Sequence, residues 1–185
     1  MLIFSPSTGM AADWTQFQID TQNTGVTSDK APITAPESSL CWDVFTASET
    51  SMTAGIDIVP LVVGDKVYVA TSEGSVWAYD KDTGILEWIN SSDGSGYLTG
   101  NLAYGNGKLF VPTKTGKIYA FDADTGWELW NVTVSAGELN SPITYSDNKI
   151  YIGDFGDFAG ENKYYCYDDS GVECWNRSSS SGEQY

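Results

Sequence analysis

AYDKDTGILEW, Ala78 to Trp88, returns as AFDADTGWELW, Ala120 to Trp130. The two stretches share Ala, Asp, Asp, Thr, Gly and Trp at matching places, at a constant offset of 42 residues. The match extends upstream. GDKVYVAT from Gly64 aligns with NGKLFVPT from Asn106 at Lys66 and Lys108, and Gly74 aligns with Gly116. A third copy follows as SDNKIYIGDF (Ser146 to Phe155) and YYCYDDSGVECW (Tyr164 to Trp175). It has a longer insertion between its halves and one residue fewer in its Asp168-to-Gly171 turn. A fixed period near 40 residues is the mark of a repeat architecture.

Each unit divides into four short strands. In the second, the apolar run Tyr97 to Tyr104 comes first, then Lys108 to Thr113 and Lys117 to Asp122, and Trp127 to Val132 closes the unit. Turns are expected at Asn106-Gly107, Thr115-Gly116 and Ala123 to Gly126, where Gly supplies the positive φ that hairpins demand. No long segment carries apolar residues at helical spacing. Four antiparallel strands in about 42 residues is the length of one propeller blade.

The eleven-residue motif then has a mechanical account. Asp80 and Asp122 stand where a third strand ends, and an Asp there can accept backbone N–H bonds and hold the turn. Gly84 and Gly126 take the left-handed position. Trp88 and Trp130 lie on the fourth, outermost strand, where an indole protrudes unless another blade covers it. Ala78 and Ala120 leave a gap that a Trp of the next blade is expected to fill. The Asp-x-Asp-x-Gly spellings resemble the start of an EF-hand loop, but they lack the Glu at position twelve and flanking helices, so they read as turns.

The pattern A-x-D-x-x-T-G-x-x-x-W resembles the tryptophan-docking motif of the quinoprotein-type, PQQ-like β-propeller repeats. It stands complete at Ala78, Asp80, Thr83, Gly84 and Trp88, and at Ala120, Asp122, Thr125, Gly126 and Trp130. The third copy keeps Asp168, Gly171 and Trp175. DWTQFQIDTQNTG (Asp13 to Gly25) is similar to the lead-in segment before such repeats, and SLCWDV (Ser39 to Val44) to a lone outer strand carrying Trp42. The Gly-His dipeptide of WD-type repeats and the Gly-Gly pair of kelch-type repeats are absent.

The resemblance implies an all-β partial propeller: about three four-stranded antiparallel blades plus an orphan outer strand, a fragment of a seven- or eight-bladed ring. The expected divisions are 1–12 as a signal-peptide remnant and 13–45 as lead-in and orphan strand. Three blades follow at about 46–90, 91–133 and 134–177, and 178–185 is a tail or the start of another blade. The apolar Met1 to Phe4 and the small residues Gly9 to Ala12 suggest the end of a secretory leader. An untidy N-terminus is the other reading.

Nine basic residues against 25 acidic ones leave a net charge of −16. Such a field repels phosphate backbones and anionic membrane surfaces, so nucleic-acid partners and direct membrane insertion are not expected. No stretch is long and apolar enough to span a bilayer. The chain has no histidine, which excludes His-based triads and His general acid–base chemistry; its three cysteines lack zinc spacing.

Cys166 falls at the place of Ala120, and Cys174 at that of Leu129. Pairing about a three-residue loop sets 166 opposite 174, which predicts a Cys166–Cys174 disulfide; Cys41 is left over. Asn90, Asn131 and Asn176 open three N-x-Ser/Thr sequons just beyond the outer-strand tryptophans, an exposed place for glycans. The insertion Asp154 to Lys163 is the candidate position for a ligand or Ca²⁺.

The family name also raises a PQQ-dependent alcohol or sugar dehydrogenase using Ca²⁺. The sequence lacks the adjacent cysteine pair of such enzymes, and its few basic residues suit a tricarboxylate cofactor poorly. No catalytic residue and no resident cofactor are expected. The leading expectation is a non-catalytic secreted or cell-surface scaffold for protein or glycan partners. A periplasmic outer-membrane assembly factor and a dehydrogenase fragment are the alternatives. The location follows as extracellular, cell surface or periplasmic, with remaining blades or another chain as further partners.

Overall fold

The repeated strand–turn–strand units form twelve β-strands in the computed structural model, which describes residues 13–16, 56, 58–71, 74–91, 101–139, 141–154 and 162–178. They are β1 (Leu61–Val63), β2 (Lys66–Ala70), β3 (Ser75–Asp80), β4 (Leu86–Ser91), β5 (Ala103–Gly105), β6 (Lys108–Pro112), β7 (Lys117–Asp122), β8 (Glu128–Thr133), β9 (Thr144–Ser146), β10 (Lys149–Gly153), β11 (Lys163–Asp168) and β12 (Glu173–Ser178). Among the described residues there is no helix, and so none long and apolar enough to cross a membrane.

The strands form three separate four-stranded sheets in the orders β1-β2-β3-β4, β5-β6-β7-β8 and β9-β10-β11-β12, antiparallel throughout. The three meanders are blades, and the ring they begin is unclosed. The first hairpin of the second blade turns on Asn106 (φ 51°) and Gly107 (φ 74°). Two consecutive left-handed residues match the twist of the flanking strands.

Period-two alternation gives every blade two faces, and successive blades bury opposite ones. Tyr68, Ala70, Val76, Ala78 and Trp88 of the first blade pack with Leu109, Val111, Tyr119 and Phe121 of the second. Phe110, Ile118 and Ala120, on the other face of the second blade, pack with Ile150, Ile152, Tyr165 and Tyr167 of the third. Short inner strands converge: β1 meets β5 and β5 meets β9, while no outer strand touches another. That is the radial order of a propeller.

All three blades carry a bulge at one place between their third and fourth strands. Ala78 pairs with Trp88 and Tyr79 with Leu86, so Glu87 is the extra residue; Leu129 and Cys174 take that position in the other blades. The bulge sets each tryptophan opposite the small residue of its own blade. It also corrects the cysteine register. Cys166 faces Trp175, not Cys174. Cys166 is buried and Cys174 exposed, both as thiols, and the bulge leaves the two side chains in contact.

The apolar run expected to open the second blade is paired only over Ala103–Gly105, and residues 92–100 lie outside the described set. The leader remnant, the orphan strand with Trp42, Cys41 and the tail also lie outside it, as does most of the lead-in. The described part of that lead-in crosses all three inner strands. Gly64 N donates to Asp13 Oδ1 (2.9 Å). Trp14 pairs with Val62 through two backbone bonds, and Tyr104 N donates to the Thr15 carbonyl (2.8 Å). Tyr145 N donates to Gln16 Oε1 (3.1 Å), and Gln16 is buried. Four residues thus supply acceptors along the exposed edges of three blades.

Candidate functional site

The acids of the repeat are turn-formers. Asp80 Oδ1 accepts from the Asp82 amide (3.2 Å), the Thr83 amide (2.7 Å) and the Thr83 hydroxyl (2.5 Å). Asp122 Oδ1 accepts from the Thr125 amide (2.8 Å) and hydroxyl (2.7 Å). These bonds favour the ionised form, the hydroxyl bond from Thr83 or Thr125 most, and hold both carboxyls below the usual carboxylate range. Gly84 (φ 69°) and Gly126 (φ 73°) close the turns in the left-handed region. In the shorter third turn, Asp168 Oδ1 accepts from Ser170 N (2.9 Å) and Val172 N (3.0 Å), and Gly171 has φ 84°.

The second and third turns each receive the tryptophan of the preceding blade. Trp88 lies against Gly126, where an added Cβ would sit 2.5 Å from indole Cε3, and Trp88 Nε1 donates to the Ala123 carbonyl (3.0 Å). Asn90 Nδ2 donates to the Gly126 carbonyl (2.6 Å) and Tyr68 OH to the Ala123 carbonyl (3.2 Å). Lys66 pairs with Glu87 (2.8 Å) and reaches Asp124 of the next blade at 4.0 Å. At the second junction Trp130 covers Gly171, and its Nε1 donates to the Asp169 carbonyl (3.2 Å). Lys108 Nζ bonds that carbonyl (3.0 Å) and the Asp169 carboxylate (3.2 Å), which also accepts from Asn106 Nδ2 (2.9 Å). The Asn106 bond leads the causes that hold Asp169 below the usual range.

The expected direction of docking is therefore corrected. The tryptophan fills the space over its own blade's alanine and docks on the turn of the blade that follows it. An aromatic residue two places after the lysine completes each junction. Tyr68 lies 6.0 Å from Trp88 and Phe110 6.0 Å from Trp130, both tilted. The recurring Lys-x-aromatic spelling (Lys66/Tyr68, Lys108/Phe110, Lys149/Tyr151) was the sequence signal for it.

A family model described as "Outer membrane protein assembly factor BamB" (PQQ_2) matches residues 33–101 and 90–185. The chain belongs to this PQQ-like repeat family. Among solved structures it is similar to a "Europium-containing methanol dehydrogenase", with TM-score 0.73 and 23% identity over 92% of this chain and 32% of that one. It is similar to quinohemoprotein alcohol dehydrogenase ADHIIG from Pseudomonas putida HK5, with TM-score 0.72 and 20% identity over 90% of this chain and 26% of that one. It is also similar to BamB from Moraxella catarrhalis, with TM-score 0.51 and 18% identity over 65% and 37%. The chain thus spans about a third or less of the two dehydrogenases. No curated protein matches the sequence. At these identities the likeness shows the fold.

In the described part of this PQQ-like chain, the charged groups of the repeat lie away from the inner strands. Its inner strands, which face the propeller axis, read LVV, AYG and TYS and carry no charge. Lys66 and Lys108 are engaged between blades. No three Asp, Glu or Cys side chains gather as metal ligands among the described residues. In the insertion, residues 155–161 lie outside the described set. Asp154 at its start accepts from Ser135 Oγ (2.7 Å), Tyr165 OH (2.9 Å) and Lys163 N (2.7 Å), so it closes the loop's base.

The sequons divide. Asn131 and Asn176 are exposed, and their amides donate to Glu128 and Glu173 (2.6 Å each). Asn90 is half-buried and engaged across the junction to Gly126. Burial pushes the Cys166 thiol pKa up.

Proposed function

We propose that this PQQ-like propeller segment is a non-catalytic scaffold of an exported envelope protein, presenting its rim and loops to protein or glycan partners. The observation that carries the reading is where the charged groups of the repeat go. Asp80, Asp122 and Asp168 hold turns, and Lys66 and Lys108 join blades. The acids that first suggest chemistry are engaged in architecture, while the axis-facing strands present uncharged side chains strapped by Asp13 to Gln16. Exposed Ile85, Trp127 and Val172 follow the turn glycine of successive blades and give the rim a row of apolar contacts for a protein partner. Nucleic acid is disfavoured by the charge of −16.

A periplasmic outer-membrane assembly factor is the second reading, favoured by the description of the family model over most of the chain. Both readings place the protein in the cell envelope or outside it and assign it no quinone cofactor. Glycans, where added, belong on Asn131 and Asn176.

Calorimetric titration of the purified chain with pyrroloquinoline quinone and Ca²⁺, followed by a dye-reduction assay on alcohols and sugars, tests the non-catalytic reading. No saturable heat and no dye reduction are expected. Stoichiometric cofactor binding with turnover would overturn it.

A further inference from the structure

The bulge of the third blade sets two of the chain's three cysteines side by side. Tyr167 pairs with Glu173, and the Tyr167 hydroxyl donates to Glu173 Oε2 (3.3 Å), so these two side chains share a face. Alternation puts their neighbours Cys166 and Cys174 on the opposite face. Cys166 pairs with Trp175, which puts Trp175 there too. A regular ladder sets one residue across from Cys166; the bulge sets two, and the extra one is a thiol. The same positions hold Ala78 and Glu87 in the first blade and Ala120 and Leu129 in the second, where there is no thiol chemistry. The two cysteines differ in access. Cys166 is fully buried, flanked by its strand partners Tyr151 and Trp175, whose ring centroids lie 6.3 Å apart. Cys174 is exposed, and the two side chains touch. Burial first, and then the Cys174 thiol, push the Cys166 pKa up, against Lys149 and Tyr151. A reagent from solvent therefore meets Cys174, and Cys166 is left to its neighbour. The strand that carries Cys174 is held from one side: all of β12 is exposed, and among the described residues it pairs with β11 alone.

We propose that Cys166 and Cys174 form an exchangeable disulfide that fastens the outer strand β12 to β11, closed by a disulfide donor from solvent. The Cys174 thiolate attacks one sulfur of a donor RSSR, which forms a mixed disulfide and releases RS⁻. Cys166 gives up its proton to water and attacks the Cys174 sulfur, which closes the Cys166–Cys174 bond and releases the second RS⁻. Each RS⁻ takes up a proton. Two cysteine thiols are thus oxidised to one disulfide while one donor disulfide is reduced to two thiols, and excess thiol runs the sequence backwards. The donor is a small-molecule disulfide or the disulfide of an oxidoreductase, as oxidising compartments supply. The ring spans few residues, so its effect is local: it pins the bulge and keeps β12 from peeling away, with little change in the stability of the whole chain. The proposal rests on the bulge and stands apart from the partner-binding reading above.

The test treats the reduced, folded full chain, with Cys41→Ser, with 2-hydroxyethyl disulfide, an uncharged donor that a net charge of −16 does not repel. After alkylation with iodoacetamide, trypsin releases Tyr164 to Arg177, which holds both cysteines, for mass spectrometry. Closure predicts a peptide lighter than the dithiol by about 2 Da, with neither cysteine alkylated, and its return to the dithiol in dithiothreitol. Cys166→Ala, the residue of the other two blades, should stop at a stable hydroxyethyl adduct on Cys174. Cys174→Ser should leave Cys166 a thiol for on the order of tenfold longer. Hydrogen exchange read by mass spectrometry should slow severalfold for the β12 amides when the bond closes. A stable adduct on Cys174 beside a free Cys166, or closure only after unfolding in urea, would overturn the proposal. So would β12 exchange that closure leaves unchanged, or oxidation of the wild-type chain that joins either cysteine to Cys41 instead.

Discussion

Alanine at Gly126 tests the junction most sharply, because two neighbouring glycines supply its controls. Gly107 has φ 74° and Gly126 φ 73°, so an alanine meets the same left-handed backbone at both. That strain costs about 1–2 kcal/mol. At Gly107 a built Cβ meets nothing within 4 Å; at Gly126 it would sit 2.5 Å from Cε3 and 2.6 Å from Cδ2 of Trp88. The indole must shift away from the turn, which weakens the Nε1 bond to Ala123 and adds an overpacking cost of about 1–3 kcal/mol. Gly126→Ala should therefore destabilise by about 2–5 kcal/mol and Gly107→Ala by about 1–2 kcal/mol. Gly171→Ala, whose Cβ would lie 3.0 Å from Trp130, should fall between them. Urea unfolding followed by circular dichroism measures all three. Equal losses at Gly107 and Gly126 would refute the reasoning, because only the indole contact distinguishes them.

Other consequences are as direct. Trp88→Ala should cost about 3–5 kcal/mol in urea unfolding, whereas Trp175→Ala in the same chain should cost far less, since no described blade covers that side chain. The Asp122 carboxylate has its pKa lowered by folding, so its stabilisation is complete above the unfolded carboxylate range, near pH 4, and is lost as pH falls through the lower folded pKa. The melting-temperature gap between wild type and Asp122→Asn should therefore be present at pH 6 and shrink towards pH 3; a gap constant across that range would contradict the turn's role. Iodoacetamide footprinting of the native chain, read by peptide mass spectrometry, should label Cys174 well before buried Cys166, and equal labelling would count against the described blade.

Much of this architecture was legible because the repeat compares the chain with itself. The offset from Asp80 to Asp122 and from Trp88 to Trp130 fixes which residues share a role, and glycine after each turn fixes the hairpins. The bulge was not legible. A one-residue irregularity between β3 and β4 leaves no compositional mark, yet it shifts every pairing beyond it, and so Cys166 meets Trp175 where simple counting sets it against Cys174. The direction of docking was hidden for a related reason. Ala78 suggests a gap, but only the register shows that its own blade's Trp88 lies across from it. The contacts of Asp13 to Gln16 are made with three strands far along the chain, and short-range periodicity carries no information about such bonds.

The candidate site divides along the same line. The sequence suggests paired acids, and turn chemistry explains them once Thr83 and Thr125 are seen donating to Asp80 and Asp122. Asp169 appears in the third copy only as a turn residue. Its carboxylate nonetheless gathers Asn106, Lys108 and Tyr145 from two blades. A degenerate motif loses the threonine and gains an interblade acid.

The central claim is that Trp88 and Trp130 lock successive blades, while no described blade covers Trp175. Hydrogen exchange of the indole N–H groups, resolved by ¹⁵N-edited NMR on the full chain, tests it most directly. The account predicts slow exchange for Trp88 and Trp130, whose Nε1 atoms donate across the junctions, and fast exchange for Trp175. Fast exchange at all three, or protection of Trp175 equal to that of Trp88, would contradict it.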